Sequence, residues 1–392
     1  MKKEKQSITK SKLLVEIKQV ADNLTKRDIS SWRRAWQMAI NPENPKRAAL
    51  LDVYTDVMVD LHLVGCIQQR GDMVLNRAFK IVDKDGKEKP EITELFESPW
   101  FKKFLELSLE SNYYGYSLIQ FGDVIRDGAI RFDSVELVPR KHVIQEFGVI
   151  VREVGDEPNK GYNYLDGDLA KWCIGVGDRK NLGLLQKVAP QSLSKKNMLA
   201  YWDTFGELFG MPVRIAKTAS RDPNDKASIE KMMQMMGAAA WGLFPEGTEV
   251  DIKETTRGDA FNVYDKRVER CNSEISKGIL GQTMTTDNGG SLAQSEVHLK
   301  ILKNITDKDA DFLRDLINWR LMPFMEMHGF PVKDLRFNWD DSVDWTPEQQ
   351  LQIEQMLLGQ YDIDPKYFVE KYNIPVTGAK SQLLTAADSF FV

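Results

Sequence analysis

The chain of 392 residues is poor in the groups that most often carry chemistry. It has three cysteines, Cys66, Cys173 and Cys271, and no CxxC pair. So sparse and odd a set argues against a disulfide framework and for reduced thiols in a protein assembled inside a cell. Four histidines, His62, His142, His298 and His328, show neither HxH nor HxxxH spacing, so no metal site is expected. A Walker-type phosphate loop is missing, as are a GxSxG elbow and a recognisable Ser/His/Asp constellation. Long hydrophobic runs are missing too. The longest nearly apolar stretch, residues 232–244, contains Gln234 and two glycines, and it falls short of the roughly 20 residues that span a bilayer. Residues 1–12 carry five lysines, one glutamate and no apolar core, which is not a secretory signal. Nor is there an excess of positive charge: the net charge of -5 argues against a protein that coats nucleic acid, though not against a local basic surface. These absences predict a soluble protein, away from membranes, that is not an enzyme and uses no cofactor.

What is present is a folded chain. With 42% hydrophobic and 28% charged residues, it has the composition of a globular protein of two or three domains. Residues 1–30 read as a polar arm. Leu50, Val53, Val57, Leu61 and Val64 recur at three- and four-residue spacing, which predicts one helix over 47–77. Phe79 to Val82 followed by Asp85-Gly86 predicts a hairpin. Residues 99–113 read as a helix. Residues 116–121 and 129–132, on either side of Asp127-Gly128, read as paired strands, and short extended pieces follow at 137–138, 143–144 and 148–151. Gly175-Val-Gly177-Asp178 reads as a plain loop.

After Gly183 the pattern becomes helical. Residues 192–210 place Leu199, Trp202, Phe205 and Phe209 on one side, and Gly210 with Pro212 marks the stop. A strand at 211–218, a helix at 226–240 and a strand at 249–253 predict a compact β-α-β insertion. In residues 262–280, Tyr264, Val268, Cys271, Ile275 and Ile279 form one apolar stripe. Residues 293–322 read as one helix striped by Val297, Ile301, Ile305, Phe312, Leu316 and Trp319, roughly 45 Å long, which Pro323 should end or kink. Two short helices are predicted at 346–358 and 365–371. The fold class is α+β and helix-rich.

Two charge features stand out. Residues 171–231 hold eleven Lys or Arg against six acids, which suits DNA phosphates or an acidic partner. From residue 334 onward ten acids face four bases. Within that tail Asp340, Asp341 and Asp344 are the one dense carboxylate cluster, the seed of an alternative reading as a metal-dependent DNA-processing enzyme. A third reading is a structural or scaffold protein that binds partners through residues 232–244. Between the two long helices lies Thr285-Thr286-Asp287-Asn288-Gly289-Gly290-Ser291, polar, glycine-containing and without a catalytic group. It suits sliding contact with something large.

Three stretches carry a family resemblance. They are Gly183-Leu-Leu-Gln continuing through Tyr201-Trp-Asp-Thr-Phe-Gly-Glu-Leu-Phe-Gly-Met-Pro-Val-Arg-Ile-Ala-Lys, then Pro245-Glu-Gly-Thr-Glu-Val-Asp-Ile, then Tyr264-Asp through Leu280-Gly-Gln-Thr-Met-Thr-Thr to Glu296-Val-His. With this order of elements, residues 95–330 resemble the Mu-like portal proteins of tailed bacteriophages. The resemblance implies an N-terminal arm at 1–30, a wing at 31–191 and a first stem helix at 192–210. It implies a clip at 211–258, a second stem helix at 259–281, a tunnel loop at 282–292, a long wing helix at 293–330 and a crown-like tail at 331–392. Stem residues would include Trp202, Phe205, Phe209, Arg267, Arg270 and Lys277, and the clip would present Arg214, Lys217, Arg221, Lys226 and Lys231. Thr285 to Ser291 would face double-stranded DNA. The implied partners are other copies in a dodecameric ring, the terminase large subunit, the head–tail adaptor, and the major capsid and scaffold proteins, at the portal vertex of the virion.

Overall fold

A computed structural model of the chain describes residues 29–209, 214–218, 222–235, 241–245, 257–283, 292–340, 347–361 and 363–372. The chain divides into two compact units, one ending at Asp340 and the other beginning at Asp341. Within the described residues the first unit runs α1 (Ile29–Ala39), α2 (Ala48–Val57), α3 (Leu61–Leu75), β1 (Phe79–Val82), α4 (Pro90–Phe96), α5 (Pro99–Tyr114) and β2 (Tyr116–Phe121). Six short strands and a single helical turn follow: β3 (Val124–Ile125), β4 (Arg131–Phe132), β5 (Val135–Leu137), β6 (Val143–Ile144), β7 (Val149–Ile150), β8 (Tyr162–Asn163) and α6 (Gly167–Ala170). Then come β9 (Cys173–Gly177), α7 (Gly183–Phe209), β10 (Arg214–Thr218), α8 (Pro223–Met235), β11 (Trp241–Pro245) and α9 (Arg257–Leu280). The unit closes with α10 (Leu292–Leu316), a π-helical turn (Ile317–Leu321), α11 (Met322–Met327) and β12 (Arg336–Trp339). The second unit holds α12 (Pro347–Gln360) and α13 (Pro365–Tyr372), joined by Lys371 donating to Glu354 at 2.7 Å. The helix-rich α+β class expected from the sequence is the one observed.

Two buried clusters organise the first unit. One is aromatic: Phe96, Phe101, Phe104, Phe121, Phe132 and Phe337 are fully buried between α5, β2 and the end of α10. Phe121 lies 4.6 Å from Phe324 and 4.9 Å from Phe132, ring centre to ring centre, within the range at which aromatic pairs attract. The other is all-helical and joins α1, α2, α3, α7 and α9 through Leu50, Val53, Leu63, Leu185, Ala189 and Ile275.

Several expectations are corrected. The helix predicted over 47–77 is two helices, because Asp60 takes an extended conformation and its carboxylate accepts from the His62 and Leu63 amides, an N-cap for a new helix. The turn at Asp85-Gly86 forms, but its second arm is a single bridge from Val82 to Glu88 before Pro90 starts α4. The ladder partner of β1 is instead β12, antiparallel, with Phe79 opposite Trp339. Residues 131–132 pair with β3, while β2 takes β5 on one side and β9 on the other.

Gly175 to Gly177 is strand rather than loop. A Cβ on Gly175 would sit 1.9 Å from the Tyr116 hydroxyl, which bonds Tyr164 at 3.0 Å, so the glycine leaves room for that buried pair. Helix α7 begins nine residues earlier than predicted. Gly183 there has φ +77°, and a Cβ would strike the Tyr113 carbonyl at 2.1 Å. The helix also runs through Pro190. Proline has no N–H for the Gln186 carbonyl four residues back, and the Trp32 indole donates to that oxygen instead, at 3.2 Å.

In the insertion, β10 and β11 run parallel, with Arg214 opposite Trp241 and Thr218 opposite Pro245, joined through α8. This is a β-α-β unit, but its second strand is 241–245; the predicted strand at 249–253 lies outside the described residues. Nor does the long helix end at Pro323. The π turn makes Met322 donate to Ile317, five residues back, and the helix resumes. Its buried face follows the predicted stripe only in part: Leu316 is buried and Phe312 packs against the core, but Val297 is 58% and Trp319 78% exposed, and Leu302, Thr306, Asp309, Ala310 and Leu313 are buried beside them. Apolar periodicity misses part of the face because two of its positions are polar and satisfied by arginines. The stripe on α9 is observed, with Cys271, Ile275 and Ile279 fully buried.

Candidate functional site

The candidate site is the root of the α7–α9 pair and the point where α9 gives way to residues 284–291. Two contacts set the direction of the pair. Gly278 of α9 lies so close to α7 that a Cβ would be 2.7 Å from Val188, and Arg267 donates to Ser194 at 3.0 Å. Residue numbers rise along one helix as they fall along the other, so the helices are antiparallel. The absent side chain at 278 permits the close approach.

The root is tied to the α2–α3 corner by charge. Lys195 donates to Asp60 at 2.7 Å, with both side chains largely buried, and Lys196 pairs with the buried Asp56. On the other flank His62 Nε2 lies 2.8 Å from the Ser276 hydroxyl. A carboxylate and an ammonium removed from water hold together strongly only as a pair, so this corner resists separation of α7 from α2 and α3.

At its far end α9 stops at Gly281, whose φ of +72° lets its amide return to the Lys277 carbonyl at 3.1 Å, while Ile305 of α10 packs where a Cβ would point. The Ile279 carbonyl accepts from Arg70 Nη1 at 2.8 Å. The same guanidinium grips Asp309 of α10 with Nε at 2.7 Å and Nη2 at 3.0 Å, and Asn112 Nδ2 donates to that carboxylate at 3.1 Å. Burial opposes charge on Arg70, but the Asp309 bond and charge prevail and hold its pKa above the ordinary value. The adjacent Tyr113 phenol is pushed well above its usual range by burial.

The sequence-predicted residues are placed unevenly. Thr285 to Ser291 and Arg221 lie outside the described residues. Arg214 and Lys217 fall on β10 and Lys226 on α8, with their side chains outside the described residues, and Lys231 is exposed on α8. On α7, Trp202 is half-buried, and the side chains of Phe205 and Phe209 are outside the described residues. Arg270 and Lys277 both pair with Glu274, at 2.9 and 3.1 Å, along the exposed face of α9. The basic surplus of 171–231 is smaller than it reads, because Lys195 and Lys196 are engaged by Asp60 and Asp56 and Lys171 by Asp168.

Of the carboxylate cluster, Asp340 pairs with Lys80 at 2.8 Å, and Asp341 and Asp344 lie outside the described residues. Among the described residues no group of three or more His, Cys, Asp or Glu is arranged to hold a metal, and no helix is long and apolar enough to cross a membrane.

Sequence reasoning missed Asp60, Arg70 and Asp309. A signal existed for each. Asp60 stands directly before a helical run, as N-caps do. Arg70 shares the stripe Leu63, Cys66, Arg70, Val74, and Asp309 shares Leu302, Thr306, Asp309, Leu313. Opposite charges on two buried stripes imply that the stripes meet.

A family model described as the portal protein of Mu bacteriophage matches residues 51–374. No curated protein matches the chain. Among solved structures it is similar to an HK97 family phage portal protein from Corynebacterium diphtheriae, at 14% identity over 79% of this chain and 97% of that one, with a TM-score of 0.42.

Proposed function

Since the chain belongs to the family of Mu bacteriophage portal proteins, we propose that it forms the ring-shaped channel of a capsid vertex, through which double-stranded DNA enters during packaging and leaves at ejection. The observation that carries this reading is the antiparallel α7–α9 pair. It is rooted in a buried core by Asp56, Asp60 and Gly278, bears a parallel β-α-β unit between its helices, and is followed directly by residues 284–291. A stem must hold its direction under load, and paired helices fixed at one end do so.

In this reading residues 31–191 and 293–330 are the wing, 192–210 and 259–281 the stem, 211–258 the clip, 282–292 the tunnel loop, 331–392 a small crown and 1–30 an arm. A channel for any sequence gains nothing from base-specific readout. The loop's one charge, Asp287, and its small polar neighbours suit contact without grip, and net acidity weakens adhesion of a polyanion. A closed ring, dodecameric by the family resemblance, needs two different faces on each copy. The clip docks the terminase large subunit and later the head–tail adaptor, the rim meets the capsid and scaffold proteins, and the working location is the virion. No step is catalysed by this chain. The metal-dependent alternative loses ground because Asp340, one of its three carboxylates, is engaged by Lys80.

Negative-stain electron microscopy of the purified chain tests the reading: closed rings are expected, and uniform monomers under all assembly conditions, including added scaffold protein, would count decisively against it. A second expectation concerns the clip. Reversing Lys217, Arg221 and Lys226 to glutamate leaves rings intact and weakens terminase binding, measured by co-sedimentation and its salt dependence. Unchanged binding removes these residues from the interface.

A further inference from the structure

We infer that Arg70 is a positioning residue for the channel, fixing the last turn of α9 against α10 so that residues 284–291 are presented from a set geometry. This rests on the portal reading. Three observations carry it.

First, the donors of one buried side chain are divided between two elements: Nη1 goes to the Ile279 carbonyl in the final turn of α9, and Nε with Nη2 to Asp309 of α10. The last carbonyls of a helix have no partner within it, and a cation there also meets the negative end of the helix dipole. Second, Asp309 is itself aimed. Asn112 of α5 donates to Oδ1, so the carboxylate cannot swing without breaking a further bond. Third, the point of attachment lies two residues before Gly281, where the chain leaves the helix in a left-handed conformation. Any force applied beyond residue 283 reaches α9 through this turn.

Burial stability alone does not call for such an arrangement. Apolar side chains fill a helix junction as well as a buried ion pair does, and often better. What a planar guanidinium adds is direction, since its donors are fixed relative to one another and set the distance between the two acceptors. Arg77, seven residues further on and just past the end of α3, makes the instructive comparison. It bonds Asp307 at 2.7 Å and Thr306 at 3.4 Å on α10, and its third bond goes back to α3, at the Met73 carbonyl. These bonds hold the end of α3 to α10, and none of them goes to α9.

The experiment uses the full-length chain with Arg70→Lys, which keeps the charge beside Asp309 but removes the fork, and Arg77→Lys as the comparison. Hydrogen exchange is followed peptide by peptide, and the amount of DNA retained by assembled particles is measured in parallel. Arg70→Lys is expected to speed exchange across 277–283 by roughly tenfold or more while the rest of α9 and α5 keep their protection. DNA retention falls with it, and rings still form. Arg77→Lys leaves exchange in 277–283 unchanged. If Arg70→Lys does not fold, Asp309→Asn, which keeps the volume and one acceptor, is read the same way.

Uniform loss of protection throughout the core would make Arg70 a structural ion pair only and overturn the inference. So would faster exchange in 277–283 with full DNA retention, which leaves the portal reading standing. Unaltered chains that retain no DNA would defeat the portal reading itself, and this inference with it.

Discussion

Shortening residues 285–291 leaves the fold and the ring intact and abolishes DNA packaging or retention. Both helices flanking the segment are anchored without it. Helix α9 ends at Gly281 against Ile305 and is held by Arg70, and α10 is held by Asp309 and by the buried Leu302, Ala310 and Leu313. Changing a loop's length shifts the closure entropy little: each doubling costs about 0.6 kcal/mol and each halving recovers about as much. For a domain of this size that moves the melting temperature by about 2 °C or less. The functional effect is large for a different reason. If, as proposed, every copy in a ring contributes the same segment to the channel, one deletion removes that contribution from all copies at once. Electron microscopy of rings, thermal unfolding and the DNA content of assembled particles give the three readouts. A deletion that prevents folding would make the segment structural, and particles that still fill and hold their DNA would remove it from the channel.

Replacing Asp60 with alanine is expected to destabilise the first unit more than most single substitutions at its surface. Asp60 has two duties. Its carboxylate caps α3 through the His62 and Leu63 amides, and it pairs with Lys195 Nζ at 2.7 Å in a largely buried setting. Loss of the cap costs about 1 kcal/mol. Stranding a buried ammonium costs about 3–5 kcal/mol, and the two losses share one side chain, so their sum is an upper figure. Asp60→Asn should cost less, because the amide oxygen still caps the helix while the charge is gone. Lys195→Met should also be costly, because it strands the Asp60 carboxylate in the same largely buried setting with only its amide partners. Melting temperatures of the three variants check this ordering. Equal losses for Asp60→Ala and Asp60→Asn would mean that the cap contributes nothing, and a negligible loss for both would mean that the Lys195 pair is not buried in solution.

Much of this architecture is legible in the sequence. The stripe on α9 is legible because Cys271, Ile275 and Ile279 are apolar and face one core. The β-α-β insertion is legible in the sequence, but its second strand is not marked by composition or alternation: the end of an apolar run, Trp241 to Pro245, becomes a five-residue strand by pairing parallel to β10. The face of α10 is only partly legible, because periodicity counts only apolar positions, and Thr306 and Asp309 are buried by virtue of arginines more than 200 residues away. Over 47–77 the apolar spacing carries on through a break made by one carboxylate, so periodicity alone shows a single helix there.

Local pattern and composition determined the class of this protein: a helix-rich α+β chain with few chemical groups to spare, a polar segment between two long helices, and a family signature in the order of its parts. They sufficed because helix periodicity, turn residues and the absence of motifs are properties of neighbouring residues. Tertiary structure alone decided which charges are surface and which are joints. Lys195 and Arg70 are, as letters, two more cations among 53. They become the fastenings of the α7–α9 pair only because folding brings Asp60 within 2.7 Å of one and Asp309 within 2.7 Å of the other, away from water, where an ion pair holds or fails as a unit.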